Sequence, residues 1–140
     1  MQQKSCLVAV IGAVLICTSS VIVAANQAVV GKGEYLTNCA SCHGTRGTGF
    51  GGPVAASLNI KLPDLTQLAK NNGGEFPSAR VYNLIDGRDE VQGHGSRDMP
   101  VWGDDYLAKT SRDEPIAYRE ESVSKRIHAL VDYLKAIQAK

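Results

Sequence analysis

Five consecutive residues, Cys39-Ala40-Ser41-Cys42-His43, restrict what this chain can become more than any other stretch of it. Four chemistries use such a cluster: a redox-active dithiol, half of a zinc site, a plain disulfide, and thioether attachment of haem. A thioredoxin-like dithiol belongs to alternating strands and helices, and a zinc site needs further ligands at paired spacing. Neither pattern accompanies the motif here. The spacing lets two thiols reach the vinyl groups of a haem while the adjacent imidazole faces the iron, which uses all three reactive side chains at once. The expectation is one covalently bound haem, attached through Cys39 and Cys42 and held from one side by His43.

Length and composition agree with a single domain that has help in building its core. The chain has 140 residues, about one domain's worth. Hydrophobic residues make up 44% of it, but residues 1–25 are so apolar that they inflate the figure, and a large apolar cofactor supplies what the remainder lacks. Those 25 residues read as a targeting segment. Lys4 gives a positive start, Leu7 to Ile16 is an apolar run, and Val23-Ala24-Ala25 offers small residues for cleavage. The expected mature domain is 26–140, beginning near Asn26. An uncleaved membrane anchor is the alternative, which Thr18-Ser19-Ser20 weakens by interrupting the span.

Cleavage changes the charge and the cysteine count. It takes Lys4 from the 15 basic residues and leaves 14 against 14 acidic ones. With no net charge, nucleic acid is excluded as a partner. It also removes Cys6 and Cys17, so Cys39 and Cys42 are the only thiols of the exported domain.

Along the chain, a helix is expected over Val29 to Asn38, with Gly31 and Gly33 suited to close approach by another helix. Five glycines between Cys39 and Pro53 predict a tight wrapping loop. Pro63 and Asp64 open a short helix, with Gln67 at capping-box spacing. Ser78 is the expected cap of a further helix that carries Val81, Leu84 and Ile85 on one face and ends at Gly87. Arg88 to Gly103 reads as loop. The clearest element is the last: Val123, Ile127, Leu130, Val131, Leu134 and Ile137 recur at intervals of three and four, an amphipathic helix. No convincing strand is found, so the fold class is all-α.

Taken together, these pieces resemble the class I c-type cytochromes of the bacterial monohaem kind. The resemblance rests on Cys39-Ala40-Ser41-Cys42-His43-Gly44, on Gly47-Thr48-Gly49 running to Gly52-Pro53, on Met99-Pro100-Val101-Trp102-Gly103, and on the terminal helix with Tyr133. It implies a small cytochrome c-like fold in which short helices wrap one haem c and the N- and C-terminal helices pack together, at Gly31, Tyr35, Leu130 and Tyr133. It also implies that the carbonyl of Pro53, or one nearby, accepts the free ring N–H of His43, the second-shell contact that histidine ligands need.

The sixth iron ligand separates electron transfer from ligand chemistry, since an iron filled on both sides offers no open position. Met99 is the only methionine once Met1 has gone, and Pro100 and the surrounding loop match the family's ligand position. His94, between two glycines, and His128 compete with it. His128 lies at the edge of the helix stripe and reads as a surface residue. Trp102 is a candidate for packing on the haem or bonding a propionate. Arg88 and Arg97 are candidates for propionate neutralisation. Asp104, Asp105, Asp113, Glu114, Glu120 and Glu121 read as a solvated face, and 104–121 as a long polar connection with room for an extra helix.

The resulting expectation is a periplasmic electron carrier, with inner-membrane anchoring as the alternative location. It would cycle between Fe(II) and Fe(III) and would not be an enzyme. Its redox partner proteins would be a quinol-linked complex or dehydrogenase as donor and an oxidase or reductase as acceptor. A haem enzyme or gas sensor with an open iron position is the minor alternative.

Overall fold

The computed structural model describes residues 27–54, 57, 62–88 and 99–139. The leader, His94 and Arg97 lie outside the described residues. Helix α1 covers residues 27–38 and is followed by the single turn α2 (Ala40–His43). A 3-10 turn (Leu65–Gln67) leads into α3 (Leu68–Asn71), and then come α4 (Ser78–Asp86), α5 (Trp102–Ala108) and α6 (Ile116–Ala136). Among the described residues there is no strand, and no helix is long and apolar enough to cross a membrane.

The core is organised by α6. Val123, Ile127, Leu130, Val131 and Leu134 are all buried, as their three-and-four spacing requires of a helix with one apolar stripe. Each such side chain contributes roughly 1.5–3 kcal/mol on burial. Helix α1 crosses this stripe at Gly31. A Cβ there would strike the Ala129 carbonyl and approach Tyr133 Cβ to 2.9 Å, so only glycine lets the backbones meet. Gly33, by contrast, has nothing within 4 Å of such an atom and serves no crossing. Beside the contact the rings of Tyr35 and Tyr133 pack at 5.2 Å between centroids.

Polar groups fix the register of the crossing. Arg126 of α6 donates through Nε and Nη2 to the two Glu34 carboxylate oxygens of α1, both at 2.9 Å. Its guanidinium also lies 4.1 Å from the ring centre of Tyr106 on α5, which is fully buried. The chain end closes the other side: Gln138 Nε2 donates to the carbonyls of Leu65 and Leu134, and the Ala69 N–H donates to Gln138 Oε1 at 2.8 Å.

Several boundaries differ from expectation. The cap position of α4 is Pro77, with no side-chain bond, and Ser78 is the first helical residue. Its end is as expected: Gly87 takes the left-handed conformation, with φ of 69°, that glycine tolerates best. Asp64 does cap, accepting from the Thr66 N–H at 2.9 Å, but Gln67 turns to the Thr66 hydroxyl and completes no capping box. Leu84 is 40% exposed although it shares α4 with buried Val81 and Ile85. The extra helix α5 begins at Trp102, inside the expected loop, and runs into the polar connection, and α6 starts at Ile116, well before its apolar stripe, because Pro115 can stand before a first turn without losing a needed donor.

Candidate functional site

The Cys39–His43 segment forms a tight turn directly after α1. The Cys39 N–H donates to the Tyr35 carbonyl at 2.9 Å, and the Cys39 carbonyl accepts from the Cys42 and His43 N–H groups at 3.1 and 2.9 Å. Both sulfurs and the imidazole are thereby carried on one turn of helix. Gly44 ends it with φ of 77° and donates to the Ala40 carbonyl at 3.0 Å. The Gly44 carbonyl in turn accepts from the Tyr35 hydroxyl at 2.6 Å. Tyr35 therefore does more than pack: it ties the turn to the helix crossing.

The following loop folds back on the turn. The Gly49 N–H donates to the His43 carbonyl and the Val54 N–H to the Ser41 carbonyl, each at 3.0 Å. Gly52 lies so close that a Cβ would sit 2.5 Å from the Ser41 oxygen and 2.7 Å from that of Cys42. The backbone thus secures the turn, which leaves its reactive side chains uncommitted.

Those side chains have a distinctive electrostatic setting. Cys39 and Cys42 are free, half-buried thiols with no disulfide between them. Burial, aided by the negative charge of Glu34 and the neighbouring Cys42, pushes the Cys39 thiol up to about 12. Dithiol oxidoreductases need the opposite, a thiol lowered toward neutrality. Burial holds the His43 imidazole below its ordinary range, which keeps it neutral with a lone pair available to a metal. No group of three or more His, Cys, Asp and Glu side chains is assembled for a bare metal ion among the described residues.

His43 also corrects an expectation. Its Nδ1 is buried and has no hydrogen-bond partner, so neither Pro53 nor a neighbouring carbonyl accepts from it. Pro53 is exposed, in a loop fastened to the turn through Gly52 and Val54. A buried ring nitrogen left unpaired costs about 1–3 kcal/mol, and no side chain or carbonyl among the described residues offsets it at Nδ1.

Met99 is half-buried and packs on the same core cluster as Cys39. Trp102 packs there too, its ring 5.8 Å from that of Tyr106. His128 is exposed and stacks on Tyr82 at 4.8 Å, which places it on the outer surface as its stripe-edge position predicts. Arg88 is not free for a propionate: it bonds Asp86 and Glu120. Two of the acidic residues are paired locally, Asp105 on Lys109 and Glu121 on Lys125, both at 2.6 Å.

A small all-α fold that closes through a helix crossing and presents two free thiols and a neutral, half-buried imidazole on one turn defines a protein built around a covalently held haem. The family model for cytochrome c matches residues 28–138, and the chain belongs to that family. Membership makes it a haem-based electron-transfer protein carrying one haem c. No curated protein and no solved structure matches the chain. The residues present fit the cofactor: free sulfurs for thioethers, a neutral imidazole beside them on the same turn, and a thioether against the same core.

Proposed function

We propose that the chain is a periplasmic monohaem electron carrier, with haem c joined to Cys39 and Cys42 and its iron held by His43 and Met99. The observation that carries this reading is the turn itself, with two free thiols and a neutral, half-buried imidazole side by side and no disulfide between the sulfurs. Met99 is favoured over His128 because it packs on the core cluster that Cys39 also touches, whereas His128 faces outward. When bound, the haem supplies reversible one-electron chemistry at a potential raised by the soft thioether. The chain's own work is to attach, orient and enclose: Cys39 and Cys42 fix the group covalently, and Tyr35, Gly44 and Gly52 hold their turn in place.

Residues 1–25 are the export leader in this reading, and the mature chain starts near Asn26. Donor and acceptor are redox proteins, a quinol-linked complex or dehydrogenase on one side and an oxidase or reductase on the other. No substrate bond is made or broken, since both axial positions are filled from the chain. Intact-mass analysis of the denatured protein tests attachment. One haem should remain on the polypeptide, with residue 26 or a close neighbour at the N-terminus. Haem that leaves on acid solvent extraction would refute the thioether assignment, and Cys39→Ala or Cys42→Ala should reduce stable retention.

A further inference from the structure

At the junction of α4, α5 and α6, Arg88 donates through Nε to Asp86 Oδ1 at 2.9 Å and through Nη1 to Glu120 Oε1 and Oε2 at 2.9 and 2.7 Å. Asp86 is the last residue of α4 and is buried, so its carboxylate depends on this partner. The triad joins the end of α4 to α6. It also touches α5: Gly103, in the first turn of α5, is buried against it. A Cβ on Gly103 would lie 2.6 Å from Arg88 Nε and 2.7 Å from the Asp86 carbonyl oxygen. The first turn of α5 therefore rests directly on the ion triad, with no room for a side chain.

Between Gly103 and Met99 there is little freedom to absorb a change. Pro100 fixes its own φ, and the Val101 carbonyl is already bound by the Asp105 N–H at 3.2 Å. Wherever the triad sets Gly103, Met99 follows within a few torsions.

We propose that Arg88 is a positioning residue which, through Asp86 and Glu120, braces the Met99–Gly103 segment and keeps the Met99 thioether on the iron. This rests on Met99 being the axial ligand. Breaking the brace frees the segment to depart, and an added ligand then captures the iron faster. Simple stabilisation of the fold would not change that rate.

The test is imidazole binding to the ferric holoprotein, followed together with the near-infrared band of thioether-to-iron charge transfer. Arg88→Met removes both ion contacts and should raise the imidazole association rate by about tenfold or more, the scale set by leaving a buried carboxylate unpaired. Gly103→Ala should act in the same direction by displacing the segment. Glu120→Gln, at the exposed end of the triad, should give a smaller rise of roughly threefold and covers the case in which Arg88→Met does not fold. Lys109→Met breaks an exposed pair on the same helix and should leave the rate unchanged. Rates within twofold of wild type in the three brace variants, with the band present in all and only the melting temperature lowered, would overturn the brace while leaving Met99 ligation intact. A wild type without the band would remove the ligand, and the brace with it.

Discussion

Where α1 meets α6, protein is packed against protein: Tyr35 is 1% exposed, and Val123 and Ile127 are fully buried. Around the Cys39–His43 turn, Phe50 is 77% and Val54 40% exposed, both thiols are free, and the imidazole Nδ1 lacks a partner. The crossing is completed by its own side chains, so changes there should be read as stability. The turn is held through backbone hydrogen bonds and glycines while its side chains remain available, so changes there should be read as haem attachment. Tyr35 belongs to both regions, since its ring packs on Tyr133 and its hydroxyl holds the Gly44 carbonyl.

The strongest way to break this division is at Gly31. Gly31→Val drives a side chain into the Ala129 backbone and should cost about 3 kcal/mol or more, measured by chemical denaturation of the holoprotein. At the turn, Gly52→Ala should lower the fraction of chains that acquire haem, read from the haem-to-protein absorbance ratio, because its Cβ displaces the Ser41 and Cys42 carbonyls. Comparable denaturation midpoints for its haem-bearing fraction and the wild type would support the separation of roles, and a large loss of stability would erode it. Tyr35→Phe deletes the side-chain bond from the crossing to the Gly44 carbonyl and should cost about 1–2 kcal/mol with haem content preserved.

That variant also sharpens the pH response. Burial raises Tyr35, Tyr106 and Tyr133 above the ordinary tyrosine range. The folded state thus keeps protons that the unfolded chain gives up. Their stabilisation is complete below the ordinary tyrosine value of 10.0 and is lost as pH rises beyond it. Tyr35→Phe should make the alkaline decline in stability shallower. The smallest effect is expected at Gly33→Ala, on the open side of α1, which should stabilise by about 0.5–1 kcal/mol by restoring helix propensity.

Much of the crossing and the attachment turn was legible from residue patterns. The stripe from Val123 to Leu134 has helical period, and Cys39-Ala40-Ser41-Cys42-His43 has one spacing that serves haem. Gly31 could be named as a contact, but not distinguished from Gly33, because both are glycines on one helix and only the approach of Ala129 tells them apart. The Arg88–Asp86–Glu120 triad was not legible, since its members are separated in sequence by up to 34 positions and arginine suits a propionate equally well. Gln138, which bonds three backbone groups of three elements, gives no signal in composition or periodicity. The Pro53 contact to His43 was expected from the resemblance and is not made: the loop is fastened instead by the Val54 N–H on the Ser41 carbonyl, with Gly52 packed closely against the turn.

Whether this chain carries electrons or handles ligands comes down to whether both sides of its iron are filled, and carbon monoxide reports on that directly. With Met99 bound, the reduced protein should leave added carbon monoxide unbound or take it up only slowly, its oxidised form should show the near-infrared thioether band, and Met99→Ala should abolish the band and bind carbon monoxide readily. Rapid carbon monoxide binding by the reduced wild type, with no thioether band in its oxidised form, would contradict a closed electron carrier and point to an open haem site.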